Sequence, residues 1–229
     1  AGRRLADELK APLHVAVVGP GAGAVTGKLG LADAVFTVET PGAEVPAAST
    51  IAAALQGLMA QKQDALVLVG WTNLAMGVGS VLSARADLPF VNFAKALAVE
   101  GGAVTVTSQL FGGKILSDVK LADAKGIIGV SAGAFPADAG RSDKAPSVEA
   151  VAVALEAPPI QFVRFIEPEA GDVDITKQDV LVAVGRGIQT QDNISLAEEL
   201  AEALGGAVCG SRPVVDQGWM AMSRQVGKS

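Results

Sequence analysis

The chain has 229 residues, half of them hydrophobic, with a net charge of −6 at pH 7 and no tyrosine. That length suits one or two domains whose large core is built from Ala, Val, Leu and Gly, the small residues that let helices pack closely on a parallel sheet. No basic run interleaves with aromatics, which argues against nucleic acid as the main partner, and the single histidine (His14) and single cysteine (Cys209) leave no basis for a His-based zinc site, a CxxC motif or an internal disulfide.

Cys209 reads as a small core residue in a reducing compartment, and His14 as a satisfied structural residue at the start of an apolar run. No apolar run approaches the roughly 20 residues that span a membrane. The opening AGRRLADELK lacks the apolar core of a signal peptide and an initiator Met, so the chain is expected to begin inside a larger fold with a preceding strand missing.

In chain order, Leu5 and Leu9 sit one helical turn apart and predict a first helix. Leu13–Gly19 predicts a strand that enters Gly19-Pro20-Gly21-Ala22-Gly23. This turn resembles half of a dinucleotide fingerprint, but its third glycine is displaced and no acidic residue is placed at the end of a second strand. A tight strand-to-helix turn is the favoured reading. Ala34–Glu39 predicts a second strand. Ser49 is expected to cap a helix with Ile51, Leu55, Leu58 and Met59 on one stripe. Asp64–Gly70 reads as a buried strand, Thr72 as the cap of a helix carrying Leu74, Val78, Val81 and Leu82, and Leu88–Phe93 as extended. This alternation implies an α/β fold with a Rossmann-like parallel sheet.

The pattern then changes. Ala103–Ser108 and Lys114–Leu121 alternate around Gly112-Gly113, which predicts an antiparallel excursion. Gly126–Val130 returns to a buried strand, the stretch after Phe135 is a polar surface loop, and Val148–Leu155 is apolar again. An extended connector from Pro158-Pro159 ends in an acidic turn. The boundary is expected near Gly171, giving an N-terminal α/β domain over 1–171 and a second, truncated α/β domain over 172–229.

That second domain carries the candidate site. DVLVAVGRG (Asp179–Gly187) and AVCGSRPVVD (Ala207–Asp216) each predict a buried strand ending near an arginine. Two strands joined by one helix in a parallel sheet cross over right-handed, so both C-termini fall on one edge. With strands about 4.8 Å apart, Arg186 and Arg212 would face one anionic ligand. Between the strands, Ser195 and Glu198 are expected to form a capping box, Leu196, Leu200 and Leu204 repeat along a helix, and Gly205-Gly206 ends it. Arg212 is either a ligand cation or a partner for Asp216, and Trp219 is expected to pack. Gly227-Lys228-Ser229 resembles the end of a phosphate-binding P-loop, but position 222, where the leading glycine belongs, is Met222.

Four segments in register, VAVGRGI (Val182–Ile188), AEELAEALGGAV (Ala197–Val208), SRPVVDQGW (Ser211–Trp219) and RQVGKS (Arg224–Ser229), resemble the flavin domain of the α subunit of electron transfer flavoproteins. FGGKILSDVKL and GIIGVSAGAF fit the order of that family's first domain. The resemblance implies a heterodimeric electron carrier, not an enzyme with substrate chemistry of its own. It implies FAD as cofactor, a β subunit as partner and electron-donating dehydrogenases upstream. It places the protein in the bacterial cytoplasm, or the mitochondrial matrix in a eukaryote, without membrane insertion. It puts Arg186 near the FAD phosphates, Ser211 and Arg212 at the isoalloxazine ring, and Val226, Gly227, Lys228 and Ser229 in a loop reaching the ring edge. The family usually has Gln and Thr where this chain has Lys228 and Ser229. The resemblance also implies that a first strand and much of the flavin domain lie outside this sequence. The alternative reading is an α/β nucleotide-binding regulatory module using the Gly19–Gly23 turn.

Overall fold

The computed structural model describes all residues except 41, 43, 74, 76, 137, 138, 140, 141, 143, 157–159, 166–172, 228 and 229. Its fold is α/β. The chain divides into two compact units, Ala1–Val163 and Arg164–Ser229. The expected boundary at Gly171 falls outside the described residues.

The first unit opens with helix α1 (Gly2–Leu9), then strand β1 (His14–Val18), a 3₁₀ helix (Ala22–Lys28) and β2 (Ala34–Val38). Helix α2 (Ala48–Lys62), β3 (Leu66–Trp71) and α3 (Val78–Ala86) come next. Strands β4 (Phe90–Glu100), β5 (Ala103–Leu110), β6 (Ile115–Leu121), β7 (Gly126–Ser131) and β8 (Val148–Ala150) complete it. They build a parallel three-stranded sheet in the order β1-β2-β8 and a five-stranded sheet in the order β3-β7-β4-β5-β6.

The second sheet is mixed. β3, β7 and β4 are parallel, whereas β4–β5 and β5–β6 are antiparallel. The antiparallel excursion is therefore wider than the sequence suggests. The extended segment expected to stop at Phe93 runs on to Glu100, because Gly101 and Gly102 take positive φ (58° and 81°) and turn the chain straight into β5. Successive side chains of β7 serve opposite faces. Ile128 packs with Leu5 of α1, and Ile127 packs with Ala52 of α2 and Leu82 of α3, so the sheet is covered on both sides.

Two helix starts differ from expectation. Helix α2 begins at Ala48, so Ser49 already has helical backbone, and an N-cap must not. Thr72 does not cap α3. Its hydroxyl accepts the Ala75 N–H at 3.2 Å, closing a separate turn, and α3 starts after Gly77, whose φ is 92°.

His14 has the structural role expected of it. Its Nδ1 lies 2.9 Å from the Asp64 carboxylate, and its ring meets Phe36 edge-on at 5.1 Å. The amino-terminal helix is tied down by ions. Arg3 donates to Asp33 Oδ2 at 2.8 Å, and the same carboxylate oxygen accepts the Leu13 N–H at 2.7 Å. The Leu13 amide, together with Arg3, holds the Asp33 carboxyl below the usual carboxylate range.

The second unit contains β9 (Leu181–Val184), helix α4 (Ile194–Ala203), β10 (Ala207–Ser211), the short helix α5 (Arg212–Asp216) and β11 (Gln225–Val226). Its sheet has the order β11-β10-β9, parallel throughout. Three strands stand where the sequence predicts two. β11 pairs only at Gln225 and Val226, too short a run to show a period.

Candidate functional site

The core beneath the site is Val184, Ile194, Ala197, Ala201, Val208 and Val214, with Trp219 and Met220 packed against it. Trp219 is thus a packing residue, as expected. Cys209 is buried at 1% exposure, and burial pushes its thiol pKa up. The chain packs tightly where it crosses this core. A Cβ on Gly210 would lie 3.1 Å from Met220 Sδ and 3.4 Å from Val214 Cβ.

Helix α4 departs from the sequence reading twice. No capping box forms at Ser195 and Glu198. The helix continues directly from a 3₁₀ turn at Gln191–Asn193, so Asn193 is already helical and cannot act as an extended cap. Ser195 Oγ instead donates to the Asp192 carbonyl at 2.8 Å, and Asn193 Nδ2 to the Ile188 carbonyl at 2.8 Å. The second bond folds the segment after β9 back on itself.

The leucine repeat is not the buried stripe. Ile194, Ala197 and Ala201 face the sheet, while Leu196, Leu200 and Leu204 are all more than half exposed. Small residues win the inner face because strand and helix backbones approach closely there. At the C-terminus, Gly205 takes φ 67° and its neighbour Gly206 touches Val180. The continuous apolar run of β9 predicts cover on both faces. Val184 is buried, but Leu181 and Ala183 are exposed, since among the described residues α4 packs on one face only.

At the site itself the parallel pairing does what the spacing argument requires. β9 and β10 pair from Leu181↔Ala207 to Val184↔Gly210, and β11 joins with Gly210↔Gln225 and Ser211↔Val226. The three strand C-termini share one edge. Gly185-Arg186, Ser211-Arg212 and Val226-Gly227 are therefore brought together there. The adjacency of the first two is close, since a Cβ on Gly185 would lie 3.6 Å from Ser211 Oγ. Lys228 and Ser229 lie outside the described residues. The RQVGKS text stands out in the sequence as a motif, but nothing in it marks β11 as a strand.

Arg186 opens a 3₁₀ turn, Arg186–Ile188, and is exposed. It makes no ion pair among the described residues. Arg212 is the first residue of α5 and is also exposed. Its Nε lies 3.4 Å from Asp216 Oδ2, one helical turn on. That contact is the carboxylate partnership left open by the sequence, and it engages one nitrogen of the guanidinium. Ser211 is extended (φ −72°, ψ 159°), and its hydroxyl caps nothing. The edge therefore offers two fixed positive charges, a hydroxyl and glycine backbone that an anion can approach. Anionic ligands suit such an edge at the carboxyl ends of parallel strands.

Comparison with known proteins agrees with both units. Residues 1–156 match the family profile described as "Electron transfer flavoprotein domain". Residues 174–229 match the one described as "Electron transfer flavoprotein FAD-binding domain". Curated relatives include "Protein FixB" of Escherichia coli O1:K1 / APEC and of Escherichia coli strain UTI89 / UPEC. Each is 32% identical over 169 residues, covering 72% of this chain and 53% of the relative. The chain thus spans about half the length of the curated relatives it matches.

Proposed function

The chain belongs to the electron transfer flavoprotein family, on the α-subunit side, and from that premise we propose that it carries electrons by means of FAD held at the β9–β10–β11 edge, in a heterodimer with a β subunit. The observation that carries the proposal is the convergence of Arg186, Ser211, Arg212 and Val226 on that edge through parallel pairing.

FAD, when bound, supplies reversible one- and two-electron redox chemistry. The residues present fit it. Arg186 is an exposed guanidinium suited to bidentate phosphate contacts. Arg212 places a cation that stabilises negative charge on a reduced ring, and because arginine stays protonated this holds across the physiological pH range. Asp216 pairs with Arg212 through Nε at 3.4 Å, and the Arg212 side chain is 61% exposed and open to a ligand. Ser211 and Gly227 supply a hydroxyl and open backbone. Val226 precedes Gly227, Lys228 and Ser229, which the family resemblance assigns to the ring edge. None of these roles needs a general acid or base. Electron-donating dehydrogenases and a downstream acceptor complete the proposed pathway, with no nucleic acid involved. Among the described residues no helix is long and apolar enough to cross a membrane.

The test is spectroscopic. The full-length protein co-expressed with its β partner is expected to be yellow, with flavin released on denaturation, Arg186→Ala is expected to weaken flavin retention, and residues 1–229 alone are expected to hold FAD weakly or not at all. A colourless complex that takes up no added FAD would overturn the proposal.

A further inference from the structure

The other unit carries a strand edge that the flavin role does not use. We propose that the C-terminal edge of the β1–β2 pair binds a ribonucleoside through its vicinal ribose hydroxyls, with Glu39 as their acceptor.

The sequence pattern makes Glu39 the last residue of the second strand rather than an acidic residue beyond its end. The structure corrects this. β2 stops at Val38, so Glu39 is the first residue beyond it, twenty positions after Gly19. β1 and β2 run parallel with Val18 opposite Val38, and the Gly19 N–H donates to the Val38 carbonyl at 3.0 Å. The glycine turn and Glu39 are therefore neighbours. Glu39 Oε2 accepts the Gly21 N–H at 3.3 Å, while Oε1 has no partner among the described residues. A carboxylate anchored by one oxygen and open at the other is the acceptor that a ribose diol needs at this place in an α/β sheet.

The same geometry argues against a phosphate at the turn. The amide that would meet it is already taken, by a group of the same charge. The turn leads into a 3₁₀ helix of seven residues, without the aligned amides of a longer α-helix.

Pro20, Gly21, Gly23 and Val25 are exposed along the turn. Gly19 and Gly21 have φ of 142° and 68°, so their backbone alone explains glycine there. Gly23 has no such φ, and a Cβ placed on it would meet nothing within 4 Å. The space outside Gly23 is therefore open to a ligand. Val25, on the same short helix, is 52% exposed and offers apolar surface for a base. Thr40, next to Glu39, is 3% exposed, and its hydroxyl has no hydrogen-bond partner among the described residues, a capacity that buried polar groups seldom leave unspent.

Calorimetric titration of the full chain with adenosine, AMP, ATP and 2′-deoxyadenosine tests this. Adenosine and AMP are expected to bind alike and ATP no more tightly, because no phosphate is recognised. 2′-Deoxyadenosine is expected to bind roughly tenfold or more weakly, the loss of one charge-assisted hydrogen bond. Glu39→Gln should remove most of the preference for ribose over deoxyribose. Gly23→Leu should abolish binding with unchanged Tm, which separates a blocked site from an unfolded one. No binding of adenosine at millimolar concentration would overturn the proposal. So would equal affinity for the deoxy compound, or much tighter binding of ATP. Loss of adenosine binding in Arg212→Ala with Glu39→Gln unaffected would place the nucleoside at the other edge and overturn it equally.

Discussion

Ser211 and Val226 lie opposite one another across the parallel β10–β11 pair, although the turn bearing Trp219 and Met220 separates them in the chain. This pairing sets the third wall of the proposed flavin edge. It makes β10 a central strand with β9 on its other side, so the residue following β10, Arg212, is flanked by both neighbouring strand ends. Arg212, the cation proposed to stabilise the reduced ring, thus follows the central strand of the edge.

Arg212→Ala is expected to lower the two-electron reduction potential of bound flavin by about 30–60 mV, equivalent to about 1.4–2.8 kcal/mol of lost charge stabilisation. Stability should hardly change. The Arg212–Asp216 pair is well exposed, at 61% and 59% of the side chains, and such pairs contribute less than about 1 kcal/mol. Redox titration beside a melting curve separates the two effects, and an unchanged potential would remove Arg212 from the ring.

Helix α4 gives a stability contrast. A Cβ at Gly206 would lie 2.5 Å from the Val180 carbonyl oxygen and 2.8 Å from Val180 Cβ, so Gly206→Ala forces the backbone apart and should cost about 1–3 kcal/mol. Leu200→Ser, on the exposed side, should stay within about 0.5 kcal/mol. Urea denaturation of both variants checks this, and the reverse order would mean that the leucine face, not the small-residue face, is packed.

Acid stability should report on the tether of α1. The Leu13 N–H and Arg3 both favour the ionised form of Asp33, so its folded pKa lies below its unfolded value. Its contribution is complete above about pH 4 and is lost as the pH falls through the lowered folded value. Asp33→Asn should lower Tm at neutral pH and narrow the gap to the unaltered protein as the pH drops below 4. A gap that stays constant from pH 7 to pH 2 would mean that the carboxyl's charge plays no part.

Much of the architecture is legible because it follows from local chemistry. Apolar runs such as Val182–Val184 and Gly126–Val130 have no other stable home than a sheet, and Gly205-Gly206 ends a helix wherever it stands. The caps are not legible, because an N-cap depends on the backbone of its own residue. Ser49 and Ser195, the expected caps, both lie inside their helices, because each helix begins earlier than its capping pattern suggests. The leucine repeat of α4 misleads because hydrophobicity ranks Leu above Ala, whereas the face of α4 turned to the sheet carries Ile194, Ala197 and Ala201. Glu39 is hidden by a single residue of strand end.

The residues that can do chemistry here are determined by the sequence alone. Two arginines that follow apolar strands, one buried thiol and one structural histidine are fixed there, and its motifs name the family. Which of those residues meet is decided only by tertiary structure. Parallel hydrogen bonding aligns strand ends that the chain keeps far apart, and so sets Arg186, Ser211, Arg212 and Val226 on one edge and Gly21 and Glu39 on another.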